Sequence, residues 1–203
     1  MNNIKECALY CIEQEKKALD LVQESINNDF EYAAKLIASC TGCVITSGIG
    51  KSKIVASKIS NTLNCTGVRS YCSDAVDLHH GGLGGVCEDD LFLVVSRSGN
   101  TKEIVHLIKT VKESFSNIKI IALTCTPTNE IASLVDIHLT IEIATEADPL
   151  NIMPTSSSTA CIVMGDALAC AVMFVRQLTR EDFARFHPGG ELGKRLQSEI
   201  NKH

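Results

Sequence analysis

From Cys43 onward, short apolar runs rich in β-branched residues alternate with stretches of helical periodicity, and few folds accept that order. Residues 43–46, 68–72, 91–95 and 118–123 read as strands, and residues 52–64 and 102–114 read as helices. A strand rejoined to its sheet through a helix runs parallel to its neighbours, so the reading predicts an α/β fold with a parallel sheet between helical layers. The run Leu91-Phe92-Leu93-Val94-Val95 is the most apolar and belongs in the middle of that sheet. Residues 137–143 alternate apolar with polar and suit an edge. In such sheets ligands bind at the carboxyl ends of the strands, which is where the search for chemistry starts.

The rest of the chain is helical in pattern. Ile4, Ala8, Cys11, Ile12, Ala18, Leu19 and Val22 form one stripe, and Tyr32, Ala33, Leu36 and Ile37 another. Asn27-Asn28-Asp29 separates them, with Asp29 a candidate cap for the second helix. Residues 155–176 predict a long, nearly wholly apolar helix, buried on most faces. No repeat or linker interrupts the 203 residues, so one domain is expected, with helices at about 4–39 packed on a body at about 43–195. A chain of this size buries roughly 70% of its unfolded surface and needs no disulfide or metal for its core.

Charge and cysteine use narrow the function. A formal charge of −5 provides no basic excess to neutralise phosphates, which argues against a nucleic-acid partner. No run approaches eighteen apolar residues, so no membrane span is expected, and residues 1–20 lack a signal peptide's apolar centre. The expected location is cytoplasmic, where ten cysteines stay as reduced thiols. Cys40 and Cys43 form a CxxC, but it precedes a strand and has no second pair, so it reads as structural, with Gly42 ending a helix. Cys161 and Cys170, among apolar neighbours, read as small core residues.

Four segments carry candidate chemistry. Gly48-Ile49-Gly50-Lys51-Ser52 ends in GKS, but Ile45 stands where a P-loop needs its first glycine, and Ile54 or Val55 where a dinucleotide fingerprint needs its third. What survives is a turn through Gly50 into a helix that opens with Lys51 and Ser52, able to hold an anion or aim an ammonium at an oxyanion. Ser96-Arg97-Ser98-Gly99-Asn100-Thr101 follows the most apolar strand and offers many short donors, either to a phosphate monoester or simply to cap the next helix. Pro154-Thr155-Ser156-Ser157-Ser158-Thr159 repeats the theme with more hydroxyls than one cap needs, and so reads as a second wall of the anion site. Glu146 and His187 are the residue types used for acid–base work near neutral pH. His79 and His80 diverge as sequence neighbours and have no third ligand close by, so one functional histidine is expected there rather than a metal. His106 and His138 read as structural.

These segments, in this order, resemble the sugar isomerase (SIS) domain, and specifically the D-arabinose-5-phosphate isomerases of the Kdo pathway and capsule clusters. The similarity rests on Ser47-Gly-Ile-Gly-Lys-Ser52, Ser96-Arg-Ser-Gly99 with Glu103, Pro154-Thr-Ser-Ser-Ser-Thr-Ala160 running on to Val163-Met-Gly-Asp-Ala-Leu-Ala169, and His187-Pro-Gly-Gly-Glu-Leu-Gly193. It covers almost the whole chain. The resemblance implies a three-layer αβα sandwich with a five-stranded, flavodoxin-like parallel sheet, assembled as a homodimer or homotetramer with sites completed by neighbouring subunits. It implies aldose–ketose isomerisation of a sugar phosphate through an enediol, without cofactor, in lipopolysaccharide or capsule synthesis. Long members add a C-terminal pair of cystathionine-β-synthase-type domains, and this chain resembles the short form without them.

Carried onto matching positions, the catalytic set is Lys51, Glu103, Glu146 and His187. Glu146 is the preferred base, His187 the proton shuttle or ring-opening acid, Lys51 the stabiliser of enediolate charge, and Glu103 the residue that orients Lys51 or a sugar hydroxyl. Gly50, Ser52, His80, Ser96, Ser98, Gly99, Thr101, Thr155, Ser156, Ser157 and Ser158 would bind substrate. Five positions depart from the pattern. Arg97 stands where Asn is common, Gly82 where Asp is, Asp77 for Glu, Asp148 for Cys, and Lys53 for Gly. The alternatives are isomerisation of another sugar phosphate, such as a hexulose 6-phosphate, or a non-catalytic phosphosugar-sensing module.

Overall fold

The computed structural model describes residues 3–189, 193–195 and 198–199. Residues 190–192 of the His187 motif lie outside the described residues. The elements are helices α1 (Ile4–Glu24) and α2 (Asn28–Ser39), strand β1 (Val44–Gly48), α3 (Lys51–Asn64), β2 (Ser70–Asp74), α4 (Ala75–His79), β3 (Leu91–Ser96), α5 (Lys102–Ser114), β4 (Lys119–Thr124), β5 (Ile137–Thr140), α6 (Ser156–Val175) and α7 (Arg180–Phe186). Short 3-10 turns at Gly82–Gly85 and Ile131–Ser133 fill two of the connections.

All five strands are parallel, in the order β2-β1-β3-β4-β5. Every residue of β3 is buried, as its uninterrupted apolar run requires of a central strand. Successive residues of that strand point to opposite faces. Leu91, Leu93 and Val95 meet a core built with α1, α2, α3 and α6, whereas Phe92 and Val94 meet one built with α4 and α5. The expected sandwich of helices about a parallel sheet is therefore present, and β5, expected at an edge, is an edge strand.

Several local expectations are corrected. Asn27, not Asp29, caps α2, because its side chain accepts from the amides of both Asp29 and Phe30. Gly42 does not end the helix, which stops at Ser39. It lies where the chain passes the Asp89 carbonyl too closely for a Cβ. Cys40 and Cys43, like the other eight cysteines, are free thiols. Cys161 is buried as expected, but Cys170 faces outward.

The long apolar helix also differs from its forecast. By length and composition α6 is apolar enough to cross a membrane, although Gly165 and Asp166 keep its continuous apolar runs short. Its first four turns pack against α1, α2 and α3, while Phe174 near its end is 85% exposed. Gly165 permits the α3–α6 crossing, since a Cβ there would overlap the Ile59 side chain.

Candidate active site

The sheet order reverses between β1 and β3. The connection from β1 leads outward to β2 and that from β3 leads outward to β4, so the loops at their carboxyl ends diverge and leave a crevice. A cleft of about 160 Å3 opens there. Lys51, Ser52 and Val55 of α3 form one wall, Val95 and Arg97 at the end of β3 the floor, and Pro154, Ser157, Ser158 and Cys161 the start of α6 opposite.

The turn into α3 depends on two glycines. A Cβ at Gly48 would lie 2.7 Å from the Ser52 carbonyl carbon, and Gly50 has φ of 59°, in the left-handed region glycine favours. Among the described residues no side chain caps this helix; its Ser52 and Lys53 amides bond back to the Ile49 and Gly50 carbonyls, and Lys51 lines the cleft.

The second loop is more self-contained than its composition suggests. The Ser96 and Thr101 hydroxyls bond each other at 3.0 Å, and Ser96 also accepts from the Gly99 amide. Ser98 accepts from Asn100 N and is exposed. Gly99, at φ of 65°, leaves room for the Asn129 side chain. Of the whole segment, the cleft is lined by Arg97, one of the departures from the resemblance.

The start of α6 is organised around Glu146, which is 3% exposed. Its Oε2 accepts from the amides of Thr155 (2.9 Å) and Ser157 (3.1 Å), and its Oε1 from the Ser157 hydroxyl and from Arg97 Nε (2.6 Å). A carboxylate thus caps the helix where a phosphate was expected, and its negative charge suits the helix amino end. Burial alone would raise its pKa, but the Ser157 hydroxyl, the Thr155 and Ser157 amides and then Arg97 together hold it below the ordinary carboxylate value.

Two sequence expectations are revised by this geometry. Glu146, the preferred base, has both oxygens engaged by donors and is held ionised, which makes it a weak proton acceptor as placed. Of the hydroxyls assigned to phosphate, Thr155 bonds Ala147 N, and Ser158 bonds back to the carbonyls of Pro154 and Thr155. The buried Ser156 hydroxyl has no partner among the described residues and lies outside the cleft, beside α1 and residues 142–145.

The remaining candidates do not line the cleft. Glu103 is exposed on the first turn of α5 and His80 is exposed just after α4. The neighbouring histidine is the one built into the structure. His79 stacks on His106, with ring centroids 4.2 Å apart, and burial followed by the His106 charge lowers its pKa. His187 ends α7, whose Phe186 ring lies against Gly67, before β2 and so toward the amino end of the sheet. His138, read as structural, bonds the Thr124 and Thr140 hydroxyls between β4 and β5.

Three departures have local partners. Lys53 pairs with Asp74 at 2.9 Å, and Asp148 accepts from the amides of Leu150, Ile152 and Met153, bracing the loop before α6. A Cβ at Gly82 would lie 2.9 Å from the Asp77 carbonyl oxygen, so this turn as built suits glycine.

An open parallel sheet with a hydroxyl-bearing, cationic cleft at its switch point defines an α/β protein suited to a small anionic ligand. The SIS domain family model matches residues 37–171, more than half of the chain, and the chain belongs to that family. Arabinose 5-phosphate isomerase KdsD of Pseudomonas aeruginosa is 41% identical over 182 residues, covering 90% of this chain and 55% of that protein. KdsD of Escherichia coli K12 is 38% identical over 187 residues, covering 92% of this chain and 56% of that protein. The chain spans about half the length of the curated relatives it matches. The solved structure of E. coli CFT073 c3406 in complex with arabinose 5-phosphate is similar at a TM-score of 0.85 with 34% identity, covering 93% of this chain and 100% of that one.

Proposed function

We propose that the chain is a phosphosugar aldose–ketose isomerase that interconverts D-ribulose 5-phosphate and D-arabinose 5-phosphate through an enediol, using side chains alone. The observation that carries the reading is Lys51. Its ammonium has no partner among the described residues and stands at an uncapped helix amino end, within a cleft that faces hydroxyls across the sheet's switch point. Such a site stabilises an enediolate oxygen better than the neutral sugar, which is the condition for catalysis. The similarity to KdsD proteins and to the arabinose 5-phosphate complex supports the pentose phosphate among possible substrates.

In the reaction a base removes the proton from the carbon beside the carbonyl, the oxygens carry the enediolate charge, and the adjacent carbon is protonated. We assign the base to His187 of a second copy of the chain. Its Nδ1 lies 3.0 Å from the Phe183 carbonyl, which can only accept, so Nδ1 carries the hydrogen and Nε2 of the neutral ring keeps a free lone pair. Its position away from the cleft within one chain favours a site shared between subunits of a homodimer or homotetramer. Exposed Ile4, Leu9, Ile12 and Phe174 supply apolar surface for such contacts. Glu103 and His80, exposed and outside the cleft of their own chain, would approach the sugar hydroxyls only from a neighbouring subunit. We place the reaction in the cytoplasm, where the ten thiols stay reduced, and in the supply of precursor for lipopolysaccharide or capsule.

The test is an assay of the purified chain against a panel of pentose and hexose phosphates. Conversion of arabinose 5-phosphate ahead of the others is expected. Selective conversion of a hexulose 6-phosphate would move the assignment to another sugar, and binding without conversion would favour a sensing module.

A further inference from the structure

Arg97 is held at its backbone and at Nε yet open at its tip. Its carbonyl accepts from Cys125 N at 2.9 Å, tying its backbone to the end of β4. Its Nε donates to Glu146 at 2.6 Å, tying the guanidinium to a carboxylate that is itself buried and held by the start of α6. The two terminal nitrogens have no partner among the described residues, and the side chain, 45% exposed, lines the cleft. A guanidinium anchored through Nε and open at both terminal nitrogens is organised for forked binding of an oxyanion.

The Glu146 charge does not cancel this. Four donors from Thr155 and Ser157, and the amino end of α6, share that carboxylate with Arg97. Lys51 adds a second cation to the same cleft.

We propose that Arg97 is the residue that reads the substrate's phosphoryl group, and that Glu146 is a positioning residue acting through it. The proposal rests on the phosphosugar reading of this cleft. It gives the phosphate a forked cationic partner, in place of hydroxyls that are largely engaged with one another. It also explains the presence of Arg97 among short polar side chains, since Asn cannot reach both a buried carboxylate and a ligand with the same charge.

The experiment is calorimetric titration with inorganic phosphate of the wild-type chain and of Arg97→Met, Arg97→Lys, Glu146→Gln and the Arg97→Met/Glu146→Gln double variant. Thermal melts establish that each is folded. Arg97→Met is expected to weaken phosphate binding about 10- to 100-fold, the scale of a lost charge-assisted bond. Arg97→Lys, with charge but no fork, should fall between it and wild type, and this variant carries the test if the methionine variant fails to fold. Glu146→Gln should weaken binding when Arg97 is present and add nothing beyond Arg97→Met when it is absent, a coupling that a purely structural role would not produce. Unchanged binding in Arg97→Met, or no saturable phosphate binding by the wild type, overturns the assignment. Additive effects of the two substitutions overturn the positioning role. A chain that binds phosphate through Arg97 but converts no sugar phosphate leaves this assignment standing and removes the isomerase reading instead.

Discussion

At the scale of single residues, the bonds that hold Glu146 ionised have a consequence in acid. Because its folded-state pKa is lowered, its contribution to stability is fully present above the ordinary carboxylate value of about 4.3 and is lost as pH falls through the lower folded value. Glu146→Gln lacks this contribution, so its stability should fall less steeply than wild type below about pH 4, checked by urea midpoints across pH. Cys161 gives a second expectation at this scale. It lines the cleft, but a hydrogen bond with Cys125 and burial push its thiol well up. Iodoacetamide should therefore label exposed Cys87 and Cys170 well before Cys161, as read by peptide mass, and early labelling of Cys161 would contradict its thiol state. Lys51, Ser52, Ser157 and Ser158 of the cleft stood among the candidates read from the chain, but the use of the polar groups was not legible. Hydroxyls at 96–101 and 155–158 looked alike as phosphate donors, yet Ser96 and Thr101 bond each other and Ser157 bonds Glu146. Composition counts donors and cannot show which acceptor lies nearest in three dimensions. The Arg97–Glu146 pair joins residues far apart in sequence, so no spacing rule could reveal it.

At the scale of elements, the sheet was the most legible part, because parallel strands buried on both faces leave uninterrupted apolar runs in the chain. β3 and β4 lie almost where their runs predict. β2 does not. It begins at Ser70 rather than at residue 68 and runs to Asp74, since as an edge strand it needs no continuous apolar signature. The short helices α4 and α7 gave no detectable period, having five and seven residues respectively. Gly165, in the apolar run of α6, was legible as a family match but not as a contact. It sets how closely α3 and α6 approach, while Lys58 and Asp166 form an ion pair between the same helices. Gly165→Ala should cost about 1–3 kcal/mol through overpacking against Ile59, which lowers the melting temperature by roughly 2–4 °C per kcal/mol for a chain of this size. An unchanged melting temperature would show that Ile59 yields freely.

At the scale of the whole molecule, the cleft holds Lys51 and Arg97 while His187 sits toward the other end of the sheet, which the proposed shared site would reconcile. If subunits exchange residues, Lys51→Ala and His187→Asn should each be inactive alone, and mixing them should restore activity. Random dimers of the two would carry about a quarter of intact sites. No recovery after mixed refolding would return His187 to a role within its own chain or remove it from catalysis. Assembly itself is checked by sedimentation, where a dimer or tetramer is expected. The central claim, that this cleft isomerises a sugar phosphate through an enediol, is met most directly by incubating the wild-type chain with arabinose 5-phosphate in deuterium oxide and following the sugar by NMR. The expected result is conversion to ribulose 5-phosphate with deuterium entering the carbons that exchange a proton, and loss of both in Lys51→Ala. A wild-type chain that binds the sugar phosphate but neither converts it nor exchanges its protons would contradict the claim.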